Sequence, residues 1–86
     1  MANHKSAIKR ARQSEEQRDR NRSRKTRMKN VIRKLEQSIN SKSREAAVEE
    51  LKLAVSVIER TASKGVIHRN TASRKISRLT LKVNAL

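Results

Sequence analysis

Large apolar residues are sparse along this chain and fall into three blocks. In the first block Met28, Val31, Ile32, Leu35 and Ile39 recur at three- and four-residue spacing, the stripe of a helix with one face in a core. Upstream of that stripe the pattern lapses. After Met1, Ile8 is the only large apolar residue before Met28, and none occurs between Gln13 and Arg27. A helix that is polar all round has nothing to bury against protein. The pattern therefore predicts one helix over about residues 6–40, starting near Ser6, with a first half that runs past any core the chain can build. At the usual rise such an element is about 50 Å long.

The segment Asn40-Ser41-Lys42-Ser43 is a polar break. Ser43 is a candidate N-cap, and Glu45 stands where a carboxylate favours the positive end of the helix dipole. A second helix is predicted over about 44–63. Its main stripe is Ala47, Val48, Leu51, Ala54, Val55, Ile58 and Ala62, and Ala46, Leu53 and Val57 widen the apolar arc to more than half of the circumference. So wide an arc predicts a central helix with two neighbours. Glu45, Glu49, Lys52 and Glu59 share the remaining face, which should point to water. Gly65 is the expected left-handed C-terminal cap, with Val66 and Ile67 available for the accompanying apolar contact. Asn70 is the expected N-cap of a third helix over about 71–84, with Ala72, Ile76, Leu79 and Val83 as its buried stripe.

Glycine occurs once and proline not at all, which leaves little of the punctuation that turns and sheets need. The expected fold is therefore all-α: a three-helix antiparallel bundle with a long, basic, protruding first helix, forming one domain over residues 1–86. Its core, drawn from Met, Val, Ile, Leu and Ala, is small, and a domain of this size should be only marginally stable alone.

Charge changes the picture from fold to partner. The chain has 23 Lys and Arg against 8 Asp and Glu, a formal net charge of +15. Residues 1–30 carry 11 basic and 3 acidic side chains, residues 31–60 carry 6 and 5, and residues 61–86 carry 6 and none. The middle is nearly neutral and the two ends hold the excess. A compact chain so charged repels itself, and a polyanion is the natural partner.

Composition then narrows the function classes. Cysteine is absent, which removes disulfides, thiol chemistry and Cys-containing zinc sites. His4 and His68 stand at opposite ends of the chain, so no metal site and no cofactor is expected. Phe, Tyr and Trp are absent, which rules out stacking of bases on aromatic rings and directs recognition to phosphates, shape and 2′-hydroxyls. No apolar run approaches the ~20 residues of a membrane span, and Met1–Arg12 has no apolar segment of the signal-peptide kind. An intracellular, soluble chain is expected. His68 has no nucleophile or acid near it in sequence, and no glycine-rich phosphate loop exists, so catalysis and small-molecule substrates are not expected.

The candidate binding residues follow the charge. In the first helix they are Lys5, Lys9, Arg10, Arg12, Arg18, Arg20, Arg22, Arg24, Lys25, Arg27 and Lys29, distributed on all sides, as suits a helix set in a groove or between RNA helices. In the third, Arg74, Arg78 and Lys82 recur at four-residue spacing with Lys75 beside them, and no acid follows Glu59 to neutralise them. His68 and Arg69 precede that helix. Asn3, Ser6, Asn21, Ser23 and Asn70 can hydrogen-bond phosphates or 2′-hydroxyls, or serve as caps. Other polyanion binders were weighed. A basic zipper fails because Met28 and Leu35 are followed at the next heptad position by Lys42. A membrane-active helix needs an apolar face, and residues 9–27 have none. A histone-like DNA binder is harder to separate by charge alone.

The residues also carry a resemblance. Ala2-Asn3, Lys5-Ser6-Ala7 and Lys9-Arg10-Ala11 resemble the start of the bacterial small-subunit ribosomal proteins of the S-twenty family. Lys64-Gly65-Val66-Ile67-His68-Arg69-Asn70-Thr71-Ala72-Ser73-Arg74-Lys75, continued by Ser77-Arg78-Leu79 and closed by Val83-Asn84, resembles that family's C-terminal signature. The two motifs are specific in combination and, with the length, cover essentially the whole chain. The resemblance implies a three-helix bundle in the cytoplasm, within the ribosome. It implies direct binding to 16S ribosomal RNA, chiefly its 5′ domain and near the penultimate stem, early in assembly of the small subunit. It implies RNA contacts at Lys5, Ser6, Lys9 and Arg10, and a second cluster at Lys64, His68, Arg69, Asn70, Arg74, Lys75 and Arg78.

Overall fold

The computed structural model describes residues 2–86, with side chains from Lys5 onward. It contains three helices in the order α1 (Ala2–Asn40), α2 (Arg44–Ser63) and α3 (Arg69–Asn84), an all-α fold with a long first helix. The connections are short, so neighbouring helices fold back on one another. The molecule measures 64 × 21 × 14 Å, and α1, at roughly 1.5 Å per residue, accounts for most of the longest dimension.

Helix α2 is the centre. It packs against both α1 and α3, while α1 and α3 scarcely touch each other. The core joins Met28 and Leu35 of α1, Ala47, Ala54, Val57 and Ile58 of α2, and Ala72, Leu79 and Val83 of α3, with Leu35 and Ile58 the largest fully buried side chains. Val31, Ile32, Ile39, Leu51, Ala62, Ile67, Ile76 and Leu86 pack around it. Thr61 is also buried, and its hydroxyl donates to the Val57 carbonyl at 2.7 Å. Across the α1–α2 seam the Ser38 hydroxyl donates to the Glu50 carboxylate.

Three sequence expectations need correction. The first helix begins at Ala2, not near Ser6: nothing between Ala2 and Ser6 breaks a helix, and a serine inside the first turns costs little. The apolar arc of α2 is narrower than expected, because Val48 and Leu53 stay exposed (36% and 48%) at its edges. Two thin neighbours do not close around a helix as a full bundle would. The third helix begins at Arg69, and its N-cap is His68, whose Nδ1 accepts the Asn70 backbone N–H at 3.1 Å. Asn70 is thus inside the first turn and is not the cap. Ser43 does occupy the N-cap position of α2, but its side chain makes no capping bond.

Both interhelical turns are closed in the same way. After α2, Gly65 has φ 76, its N–H bonds the Ala62 carbonyl at 2.9 Å, and the Val66 N–H reaches Thr61 at 3.2 Å. After α1, Lys42 has φ 58, its N–H bonds Ile39 at 3.0 Å, and the Ser43 N–H reaches Ser38 at 3.1 Å. These paired bonds satisfy the last helical carbonyls and hold the left-handed residue that the turn requires. Glycine takes that conformation freely; a lysine does so at a cost.

Candidate nucleic-acid interface

The cationic residues of α1 occupy a bare helix. Every side chain from Lys5 to Arg20 is exposed, including Ile8 at 51%, and among the described side chains none before Met28 enters the core. Lys5, Ser6, Lys9, Arg10, Arg12, Arg18 and Arg20 therefore surround a rod with solvent on all sides. Half-burial starts where α1 reaches the end of α2, at Asn21 and Arg24, while Arg22, Lys25, Arg27 and Lys29 remain exposed. The side chain of Asn3 lies outside the described residues, and Ser23 is exposed.

A polar ladder lines one side of this stretch. The Gln17 amide donates to Asn21 Oδ1 at 3.4 Å, Arg20 Nη2 donates to Gln17 Oε1 at 3.1 Å, and Arg24 Nη1 donates to Asn21 Oδ1 at 3.3 Å. Asn21 thus acts first on its neighbours: it holds the Arg24 guanidinium on the side of α1 that faces α2.

Helix α3 carries the second set. Arg74, Arg78 and Lys82 are exposed, Lys75 beside them is half-buried, and Leu79 and Val83 on the opposite side are in the core. The packing of α3 on α2 therefore fixes the direction of the basic row. At the head of the helix Arg69 and Asn70 are exposed. The His68 ring is spent, through Nδ1, on the Asn70 backbone, and in that neutral form it leaves an Nε2–H to donate outward.

Charge pairing separates these surfaces from an ordinary solvated helix face. Among the described residues the only ion pair is Lys52–Glu49, 3.4 Å apart and exposed on both sides. The acids Glu15, Glu16 and Asp19 neutralise no neighbouring cation by direct contact. The basic residues of α1 and α3 are therefore free to meet an external anion. No helix among the described residues is long and apolar enough to cross a membrane.

The structure also regroups residues that are far apart in sequence. Lys64, expected to act with the α3 row, also lines a cleft with Arg24 and Arg27. Together with Arg60 these residues surround the cleft, of about 190 Å³ and floored by Val57 and Thr61. Arg60 is absent from the sequence-based candidates because it sits in the near-neutral middle segment, directly after Glu59. Its position in the last turn of α2 was the one available signal, and that placement by itself reads as a favourable charge at a helix C-terminus.

Comparison with known proteins bears on the whole chain. A family model described as Ribosomal protein S20 matches residues 2–84. The chain is 73% identical over its full length to the full-length small ribosomal subunit protein bS20 of Syntrophobacter fumaroxidans. It is 55% identical to the bS20 protein of Desulfatibacillum aliphaticivorans, covering all of this chain and 98% of the relative. It is 51% identical to that of Trichlorobacter lovleyi, covering all of this chain and 99% of the relative. A three-helix protein with a protruding basic helix, matched to one family from end to end, is a member of the Ribosomal protein S20 family.

Proposed function

We propose that this chain is a structural constituent of the small ribosomal subunit that binds 16S ribosomal RNA directly and steadies its folded arrangement during assembly. It acts in the cytoplasm, within the ribosome, as one RNA-binding domain over residues 1–86, and it is not an enzyme. The RNA region it meets is the 5′ domain and the nearby penultimate stem.

The observation that carries this reading is the unpaired cationic surface of α1: a rod whose side chains from Lys5 to Arg20 are all exposed, with no ion pair to an acid of the chain. A polar helix without tertiary contacts gains little from the protein's own fold. It gains a great deal from phosphates on several sides. Lys5, Lys9, Arg10, Arg12, Arg18, Arg20, Arg22, Lys25 and Lys29 supply that charge around the rod, and Ser6 can add a hydrogen bond. Arg69, Asn70, Arg74, Lys75, Arg78 and Lys82 supply a second surface at an angle set by the core, with His68 Nε2 beside it.

The mechanism is electrostatic and structural. Phosphates of RNA helices that approach one another repel. Cations between them release condensed counterions and lower the cost of the compact arrangement. The bundle fixes the geometry of the two surfaces, and α1 reaches well beyond it.

The test is a footprint of the full chain on 16S ribosomal RNA, with equal masses of random-sequence RNA and duplex DNA as competitors. A discrete patch that survives both competitors is expected. With roughly 6–10 phosphates neutralised, affinity should fall about 10³–10⁵-fold between 50 and 200 mM salt, the size of the loss known for duplex DNA. Diffuse protection that DNA removes as readily as RNA would sink the reading.

A further inference from the structure

We propose that the cleft where α1 passes the last turn of α2 seats one ribose of the bound RNA, with its flanking phosphates held by Arg24, Arg27, Arg60 and Lys64. The proposal rests on the RNA-binding reading above and assigns a role to a residue of the central helix, Arg60.

The composition of the cleft carries the inference. Its rim is cationic, contributed by α1 on one side and by the C-terminal turn of α2 on the other, and no acid lines it. Its floor is apolar. Val57 is buried, and Thr61, also buried, has its hydroxyl engaged with the Val57 carbonyl. A free inorganic anion would need donors at the bottom of such a site, and this floor offers none. The carbon face of a sugar suits it, with charge needed only on either side. Cations around an uncharged floor complement a sugar flanked by phosphates.

One member of the rim is held in place, while Arg27, Arg60 and Lys64 are exposed. Arg24 is half-buried, and its guanidinium is tied to Asn21 Oδ1 at 3.3 Å. Lys64 is the C-cap of α2, its backbone N–H bonded to the Arg60 carbonyl at 3.0 Å, which places the root of its side chain beside the cleft. Arginine's planar fork matches two phosphate oxygens at once, where lysine gives a point charge. Four cations held around one small cleft repel one another, and no acid of the cleft lining relieves that repulsion. A bound phosphodiester would.

The competing role for Arg60 is support of the α2 C-terminus through the helix dipole. That role concerns the folded chain alone and gives no change in RNA affinity once helicity is intact. The two roles separate in one experiment with the full-length protein and 16S ribosomal RNA. The affinity is measured as a function of salt for the unmodified chain, Arg60→Gln, Arg60→Lys and Arg44→Gln, with helical content checked by circular dichroism. Arg44 is exposed at the opposite end of α2 and serves as the control.

Arg60→Gln is expected to weaken binding roughly 5- to 30-fold and to reduce the salt slope by about one. Arg60→Lys should restore the slope but not the full affinity. Arg44→Gln should match the unmodified chain. Hydroxyl radicals abstract ribose hydrogens, so the footprint of Arg60→Gln should lose one patch of about one to three nucleotides and keep the rest. An Arg60→Gln chain with normal helicity, unchanged affinity and unchanged slope would overturn the cleft assignment while leaving rRNA binding intact. Failure of the unmodified chain to prefer 16S RNA would overturn both.

Discussion

Residues 5–20 of α1 and residues 47–61 of α2 are both continuous helix, but they are helical for opposite reasons. In α2, Ala47, Ala54, Val57, Ile58 and Thr61 are buried, and the helix persists because two neighbours cover its apolar side. In the α1 segment every side chain is exposed and no other helix packs on it; side-chain bonds such as Arg20 to Gln17 lie within the helix itself. There helicity depends on local propensity, on the continuity of the chain into the packed half of the same helix, and on any partner outside the protein. The difference shows that one secondary structure can serve as a scaffold at one place and as a ligand-facing probe at another. It also predicts that changes in the two stretches will appear in different measurements.

The largest effect is expected in the scaffold. Ile58 is fully buried between α1 and α3 contacts, so Ile58→Ala removes three carbons' worth of packing and should cost about 2–5 kcal/mol. In a domain this small that is a large fraction of the total stability. Thermal or urea unfolding followed by circular dichroism reads it directly. A loss well under 1 kcal/mol would mean that the core relaxes around the gap and that α2 is not the support described here.

The matching change in the arm should leave stability nearly untouched. Lys9, Arg12 and Arg18 are exposed and unpaired, and alanine is at least as good a helix former. Replacing all three with Ala should lower affinity for 16S RNA by on the order of tenfold or more and reduce the salt slope by up to about three. The unfolding midpoint should not move. If that variant unfolded early and bound normally, the roles assigned to the two stretches would be reversed.

Much of the scaffold was legible in the residue pattern, for a physical reason. Met28, Leu35, Ala47, Ala54, Ile58, Ala72, Leu79 and Val83 repeat at helical spacing, and the same spacing places them on one side of each helix in the structure. Where the pattern misled, the cause is tertiary. Val48 and Leu53 have the right residue type, but α1 and α3 leave the edges of α2 open. His68 caps α3 in place of Asn70 because the ring nitrogen reaches the second backbone N–H, a contact that residue preferences for capping do not favour. The candidate interface divides along the same line. Exposure of the arm follows from the absence of apolar residues between Gln13 and Arg27, which is a local property. The cleft of Arg24, Arg27, Arg60 and Lys64 joins residues from two helices, and only the packing of α1 on α2 brings them together.

The turn between those two helices offers the smallest and most specific test. Gly65 and Lys42 occupy equivalent places, each left-handed and each followed by the same pair of backbone bonds. The L side chain of Lys42 strains that conformation by roughly 1 kcal/mol or more, while glycine adopts it freely. Against this, glycine loses more backbone freedom on folding, by about 0.4–1 kcal/mol. The first effect is the larger at a positive φ, so Lys42→Gly should stabilise the chain by a few tenths to about 1 kcal/mol, read as a small upward shift of the unfolding midpoint. Lys42 is exposed and outside both basic surfaces, so RNA affinity should change little beyond the loss of one distant charge. A drop in stability would mean that the lysine side chain makes a compensating interaction and that the two turns, alike in backbone, differ in what holds them.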